Sequence, residues 1–262
     1  MNEIHRVLHP HKGDGVPAGL CALAVMTKAP QAGRVKTRLT PPLSPEEAAA
    51  LNICFLRDTA ETILRTADGK RAKGIGVYTP VGAEAAYGGI LPDTFTLVPQ
   101  RGEAFGERLS AATEDLLQIG FDSLCLIDSD SPTVPEKAFV QAVEFLARPG
   151  DSVVLGPSDD GGYYLIGLKK LHRRLFEAID WSTERVLEQT IEAAREIDVP
   201  VHLLPTWYDI DDSRALSRLC REFFGTNGSD ENGFGAPATR GFLSDLLERE
   251  GRGRIWPNEP QS

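Results

Sequence analysis

Ser123-Leu124-Cys125-Leu126-Ile127-Asp128-Ser129-Asp130-Ser131-Pro132 is a short apolar run that ends in two carboxylates one residue apart. An uninterrupted apolar run of this length suits a strand covered on both faces, and the Asp, Ser and Pro that follow stop it. Outward from this stretch, runs of the same kind recur at Leu20–Met26, Gly74–Thr79, Thr94–Val98, Asp151–Leu155, Tyr163–Leu168 and Val201–Leu204. Helix-like segments fill the spaces between them. Ser44 reads as an N-cap, with Pro45 at the first helical position and Glu47 three residues on, so a helix is expected to about Thr66. Further helices are expected at Ala104–Gln118, Pro135–Ala147, Ser182–Glu196 and Asp212–Phe224, with Ser182 and Asp212 as caps. Phe139, Val143 and Leu146 fall on one face of theirs. Such alternation predicts an α/β fold: a mostly parallel sheet with helices on both faces. In such sheets ligands bind beyond the C-terminal ends of the strands, so the loops there are where chemistry is sought.

The 262 residues suffice for one large domain, read as residues 20–224. Residues 1–19, with His5, His9 and His11, read as a flexible tail. Residues 225–262 read as a linker rich in Gly, Asn and Asp, a short helix at Thr239–Glu250 and a C-terminal tail. The formal net charge of -10 argues against nucleic acid as a partner, since its binders carry a basic face. Cys21, Cys54, Cys125 and Cys220 form no C-x-x-C pair and read as reduced core residues. No apolar run approaches the ~18 residues that span a bilayer, and the N-terminus lacks a signal-peptide pattern. A cytoplasmic location is the expectation.

Four segments carry candidate chemistry. Directly after the first strand, Lys28, Arg34, Lys36 and Arg38 place four cations within eleven residues of an otherwise acidic chain, with Gly33 among them. Arg offers a planar fork to phosphate oxygens, Lys a point charge, and Gly close backbone approach. The segment reads as a phosphate cradle, although it lacks the upstream glycine of a P-loop. Asp128 and Asp130 suit Mg²⁺ or Mn²⁺, which take carboxylate and diphosphate oxygens; the same residues also make a good turn. Asp159-Asp160-Gly161-Gly162-Tyr163 reads either as a tight hairpin or as an acceptor loop in which Asp159 or Asp160 acts as a base. Asp209, Asp211 and Asp212 precede the last core helix; one caps it, and Asp211 is a candidate third metal ligand. Two lesser features are Arg108 in Gly106-Glu107-Arg108, a further candidate for a phosphate, and Trp181, which is placed either to stack on a base or sugar or to fill the core.

The ordered set K-A-P-x-x-G-R-V-K-T-R-L, F-G-E-R-L, D-S-D-S-P, L-G-P-x-D-D-G-G-Y-Y-L-I-G-L, W-S-T and D-I-D-D resembles bacterial GT-A-fold nucleotide-diphospho-sugar transferases. The type is the one associated with radical-SAM and selenodomain proteins and with arsenosugar biosynthesis. The set is more distantly similar to 2-phospholactate guanylyltransferase and to molybdenum-cofactor guanylyltransferases. The resemblance covers about Leu20 to Phe224. It implies a Rossmann-like nucleotide-binding half, a divalent cation and a nucleotide-activated donor. By position it puts donor phosphates on Lys28, Arg34, Lys36 and Arg38. It puts the metal on Asp130 and Asp211, to which Asp128 is added from the paired carboxylates of the sequence itself; Gly161, Gly162, Tyr163 and Trp181 are the expected sugar or acceptor contacts. This chain departs from the pattern at Asp128, where Gly is usual, at Ser131, where Cys is usual, and at Ala215, where an acid is usual.

Taken together, the expectation is metal-dependent transfer of a glycosyl group from a nucleoside-diphosphate sugar to a small acceptor. The alternative is nucleotidyl transfer from an NTP to a phosphorylated small molecule with release of pyrophosphate. A non-catalytic nucleotide-binding module is a third reading. Against it, clustered carboxylates repel one another without a cation.

Overall fold

One sheet carries seven strands: β1 (Cys21–Lys28), β2 (Ala72–Thr79), β3 (Thr96–Pro99), β4 (Ser123–Ile127), β5 (Val153–Pro157), β6 (Tyr163–Leu168) and β7 (Val201–Leu203). The protein is described by a computed structural model covering residues 5–10, 15–69, 71–225 and 235–255. Across the sheet the order is β3-β2-β1-β4-β6-β5-β7. All neighbours are parallel except β6, which is antiparallel to both β4 and β5. Each strand overlaps one of the apolar runs in the sequence.

Six principal helices cover the sheet and its rim: α1 (Pro45–Ala67), α2 (Phe105–Ile119), α3 (Glu136–Leu146), α4 (Val186–Glu196), α5 (Ser213–Phe224) and α6 (Pro237–Glu250). The central strand shows why the runs are continuous. Leu23 and Val25 pack under α1 and α3 with Leu56, Ile63 and Phe139, while Ala22 and Ala24 pack on the opposite face under α2 with Leu109 and Leu116. Both faces of β1 are therefore buried, and no polar alternation is possible. The four cysteines are buried and unpaired.

A third apolar cluster lies off the sheet and sets the position of the site. Leu39 and Leu43, just after the basic loop, join Leu51 and Phe55 of α1, Tyr208 and Ile210, Leu216 and Leu219 of α5, and Leu243 of α6. The loop after β1 and the segment after β7 are thus packed into one core.

Three expectations are revised. Residues 6–8, read as tail, run beside the exposed edge of β3, with Leu97 N–H donating to Arg6 O and Leu8 N–H to Leu97 O. His5 is buried against Tyr87, its ring nitrogen 3.2 Å from the carbonyl oxygen; His11 lies outside the described residues. Ser182 is not a helix cap: it has a left-handed φ of 64°, and α4 starts four residues later. α4 has no side-chain cap; the Asp180 carboxylate instead accepts from the side chains of Arg185 and Gln189 at its start. The expected last helix does form, but it is packed on α1 rather than loose, while residues 226–234 of the expected linker and residues 256–262 of the expected tail lie outside the described residues.

α6 has no cap of its own at Ala236, and Asp58 of α1 supplies one from across the interface. Its carboxylate accepts from the N–H groups of Ala238 (3.0 Å) and Thr239 (2.8 Å) and is 1 % exposed. Asp58→Ala strands two backbone donors in a buried interface. It is expected to cost about 2–3 kcal/mol, read as a fall in melting temperature of roughly 5–10 °C by calorimetry. A variant melting with the wild type would show that α6 contributes no stability to the domain.

Candidate active site

The acids are brought together by backbone pairing at the C-terminal rim of the sheet. Beyond β7 the chain stays extended: Leu204 N–H donates to Leu155 O, Trp207 N–H to Pro157 O, and Ile210 N–H to Asp130 O. This segment therefore runs from the end of β5 to the end of β4, past the start of β6. It delivers Asp209 and Asp211 to the turn that carries Asp128 and Asp130. The Trp207 indole N–H, donating to Thr133 Oγ1 at 2.9 Å, pins it from the other side.

Lys36 reaches the same point from the loop after β1. Its backbone is left-handed (φ 48°), which turns the side chain inward past the Phe55 ring. The ammonium is 4 % exposed and lies 2.9 Å from Asp130 Oδ1, 2.9 Å from Asp211 Oδ1 and 2.8 Å from the Ile210 carbonyl. Burial alone would lower its pKa, but the two carboxylates outweigh burial and hold it above the ordinary lysine value. Burial likewise pushes Asp211 up, and the charges of Lys36 and Arg38 overcome it and keep the carboxyl below its usual range. The sequence reading placed Lys36 on phosphates; in the structure it joins two proposed metal ligands. The left-handed turn, invisible in the residue types, makes that difference.

The other acids differ in state. Asp128 ends β4, accepts from Ser131 Oγ at 2.7 Å, and is pushed well above the carboxylate range by burial and by Asp130. Its other oxygen accepts from the Asp130 N–H at 3.4 Å. Asp209 is raised to about 6 by burial and by Asp211 and Asp160. Asp159 is exposed and ion-paired to Arg218 at 2.6 Å. Asp160 accepts from the Gly162 N–H at 2.8 Å within the hairpin turn between β5 and β6. That turn needs Gly161: its φ is 90°, and a Cβ there would lie 2.1 Å from the Glu184 carbonyl oxygen.

Three clefts meet at Asp211. The first, about 260 Å³, is lined by Lys28, Arg34, Lys36, Arg38, Asp130 and Asp211, so the basic loop and the acids border one space. Gly33, with a φ of 71°, turns the loop beside it. The second, about 230 Å³, runs under Asp128, Asp160 and Asp209 to Tyr163, Trp181 and Phe105. Trp181 packs edge-on against Phe105 at 5.1 Å, and Gly106 admits it, since a Cβ there would lie 2.6 Å from the indole nitrogen. The third, about 590 Å³, lies between Asp159, Asp160, Asp209 and the arginines of α5. Arg108 borders none of the three; it stacks near Phe105 on the first turn of α2. Asn52 and the α5 arginines were not singled out as site residues, and Asp209 only as the alternative to Asp211. The arginines were legible: Arg214, Arg218 and Arg221 recur at helical spacing.

Among the described residues no three His, Cys, Asp or Glu side chains form a ready-made metal cluster. The two carboxylates that converge on Lys36 nevertheless fit Mg²⁺ or Mn²⁺, which take one or two protein carboxylates and complete their shell with phosphate oxygens and water. Among the described residues no helix is long and apolar enough to cross a membrane.

The family described as an uncharacterized protein conserved in bacteria, DUF2064, matches residues 62–183, which hold Asp128, Asp130, the hairpin loop and Trp181 but neither the basic loop nor Asp211. No curated protein matches the sequence. A solved structure of a candidate nucleotide-diphospho-sugar transferase from Desulfovibrio desulfuricans G20 is 28% identical, with a TM-score of 0.75, covering 90% of this chain and 99% of its own. CMP:2-keto-3-deoxy-manno-octonic acid synthetase, solved with CTP, is 10% identical with a TM-score of 0.51, covering 77% of this chain and 97% of its own. The chain thus has the α/β, Rossmann-like fold of nucleotide-diphospho-sugar transferases, and its likeness to the synthetase is one of fold.

Proposed function

We propose that the protein is a cytoplasmic, metal-dependent transferase that passes a glycosyl group from a nucleoside-diphosphate sugar to a small acceptor. One observation carries this: the cations of the loop after β1 and the Asp130–Asp211 pair line the same cleft, so one diphosphate can touch both. The likeness to the Desulfovibrio protein supports the donor class.

Lys28, Arg34 and Arg38 bind the diphosphate and stabilise the charge that grows on it as it departs, an electrostatic contribution that is commonly the largest in such reactions. Asp130 and Asp211 would hold Mg²⁺ or Mn²⁺, which neutralises and orients the leaving group. Lys36 keeps these two carboxylates ionised and aligned and also borders the phosphate cleft. Asp160 is the better proton acceptor of the hairpin pair, because Asp159 is tied to Arg218. Tyr163 and Trp181 border the space between metal and hairpin, suited to a sugar ring. A second reading, nucleotidyl transfer with release of pyrophosphate, draws on the surplus of cations: four line a cleft where two would match a metal-bound diphosphate.

Incubating the purified protein with Mg²⁺ or Mn²⁺ and panels of NDP-sugars and NTPs separates the two. Donor-dependent release of NDP supports glycosyl transfer, release of pyrophosphate supports the second reading, and turnover of no donor despite nucleotide binding leaves a binding module. Asp130→Asn is expected to lower turnover by about 10²-fold or more and to abolish metal-dependent nucleotide affinity. Retained affinity for the true donor would remove Asp130 from the metal site. Lys36→Met takes away the competing cation. Mn²⁺ affinity measured by electron paramagnetic resonance without nucleotide is expected to tighten by roughly tenfold, whereas unchanged or weaker affinity would show that the carboxylates do not bind the metal.

A further inference from the structure

The largest of the three clefts shares Arg38 and Asp211 with the phosphate cleft, but the rest of its lining is not used by the diphosphate or its metal. It begins at Asp209 and Asp211 and ends against one face of α5, where Arg214, Arg218 and Arg221 stand at i, i+4 and i+7. The opposite face, Leu216, Leu219, Cys220 and Phe223, is buried in the core, so the helix is rigidly seated. A solvated basic face would leave its arginines loose. Arg218 is not loose: its guanidinium lies 3.6 Å over the Tyr208 ring, with Asp159 and Glu222 fixing its Nη1 and Nε at 2.6 and 3.1 Å. Arg38 borders the same cleft from the β1 loop.

The acids of this cleft divide by position. Asp160, Asp209 and Asp211 also line the neighbouring aromatic cleft, at the reacting end. Asp159 is neutralised by Arg218, and Asp212 is occupied as the cap of α5, accepting from the Ala215 N–H at 2.8 Å. Arg218 is in turn balanced by Asp159 and Glu222, so the positive charge this wall offers, in a protein of net charge -10, comes from Arg214, with Arg38 bordering the same cleft. A volume of about 590 Å³ is within the usual range of small-molecule sites.

The geometry points to an oxyanion subsite on α5: Arg214, with Arg38, holds a carboxylate or phosphate of the acceptor beside the seated Arg218, and its nucleophilic oxygen lies toward Asp160. The planar forks of arginine suit either group in two-point contact. The acceptor is thereby an anionic small molecule carrying a hydroxyl, not a neutral sugar. This rests on the transferase reading for the position of the nucleophile, but the subsite itself can be tested without turnover.

Three probes of similar size separate the chemistries: glycerol, glycerate and glycerol 3-phosphate. Each is titrated calorimetrically at fixed ionic strength into the full-length protein, alone and with Mn²⁺ and a saturating NDP from a panel of four bases. Both anions, or one of them, are expected to bind where glycerol does not, and the preferred one names the group. Arg214→Gln is expected to weaken anion binding at least fivefold more than it weakens NDP binding, and Arg34→Gln to show the reverse. Anion binding no better than that of glycerol overturns the subsite, as does equal loss of both ligands in Arg214→Gln. If no NDP binds, the transferase reading fails, and the anion titration on the protein alone still decides the subsite: binding weakened by Arg214→Gln upholds it, and unchanged or absent binding refutes it.

Discussion

Two carboxylates and one ammonium meet within hydrogen-bond distance at the rim of the sheet, where three chain segments distant in sequence converge. Asp130 comes from the turn after β4, Asp211 from the extended run after β7, and Lys36 from the loop after β1. Without Lys36 the two acids repel each other in a half-buried site. With it, the loop that borders the phosphate cleft is locked to the acids that would hold the metal. Removing one partner of such a set leaves uncompensated charge, which is why all three are more sensitive than surface pairs such as Arg65–Glu61. The apolar cluster beneath, from Leu39 and Phe55 to Ile210 and Leu216, supplies the rigidity that keeps the three segments in register.

Much of the architecture was legible because burial on both faces leaves a plain signature. The runs at Leu20–Met26 and Ser123–Ile127 contain little besides apolar residues, and they became the central strands. Ser44-Pro45 with Glu47 was equally readable: both halves of the capping box form, at 3.2 and 2.7 Å. What failed was direction and docking. Lys36 read as a phosphate contact because residue type says nothing of a left-handed backbone that aims it at Asp130 and Asp211. Ser182 had the right chemistry for a cap but sits in a left-handed turn. Residues 6–8 pair through backbone groups along the edge of β3, and backbone pairing needs no particular side chains. The arginine face of α5 was in plain view, yet its meaning depends on the cleft it borders.

Charge is arranged against the average of the molecule. A chain with ten more acids than bases repels anionic ligands at long range. The basic loop overcomes this locally because its cations line a concave space, where low-dielectric walls weaken screening. Asp128 and Asp209 show the opposite effect in the same walls: burial and neighbouring acids raise both, Asp128 well above the carboxylate range and Asp209 to about 6, so Asp209 still carries charge near neutral pH.

The single reversed strand is what brings acid to this rim. In a fully parallel sheet, β5 would be followed by a crossover helix, and the next loop at the ligand-binding rim would come only after another strand. Reversing β6 lets a five-residue turn, Ser158–Gly162, return the chain at the C-terminal end of β5, beside the end of β4. Gly161 makes the turn tight enough to pass under the Glu184 backbone. Asp159 and Asp160 then stand between the aromatic cleft and the α5 cleft, and the turn is both a structural hairpin and a site loop. The two readings of the Asp-Asp-Gly-Gly sequence are not exclusive: the hairpin itself sets Asp160 on the border of both clefts, where the proposed acceptor would lie.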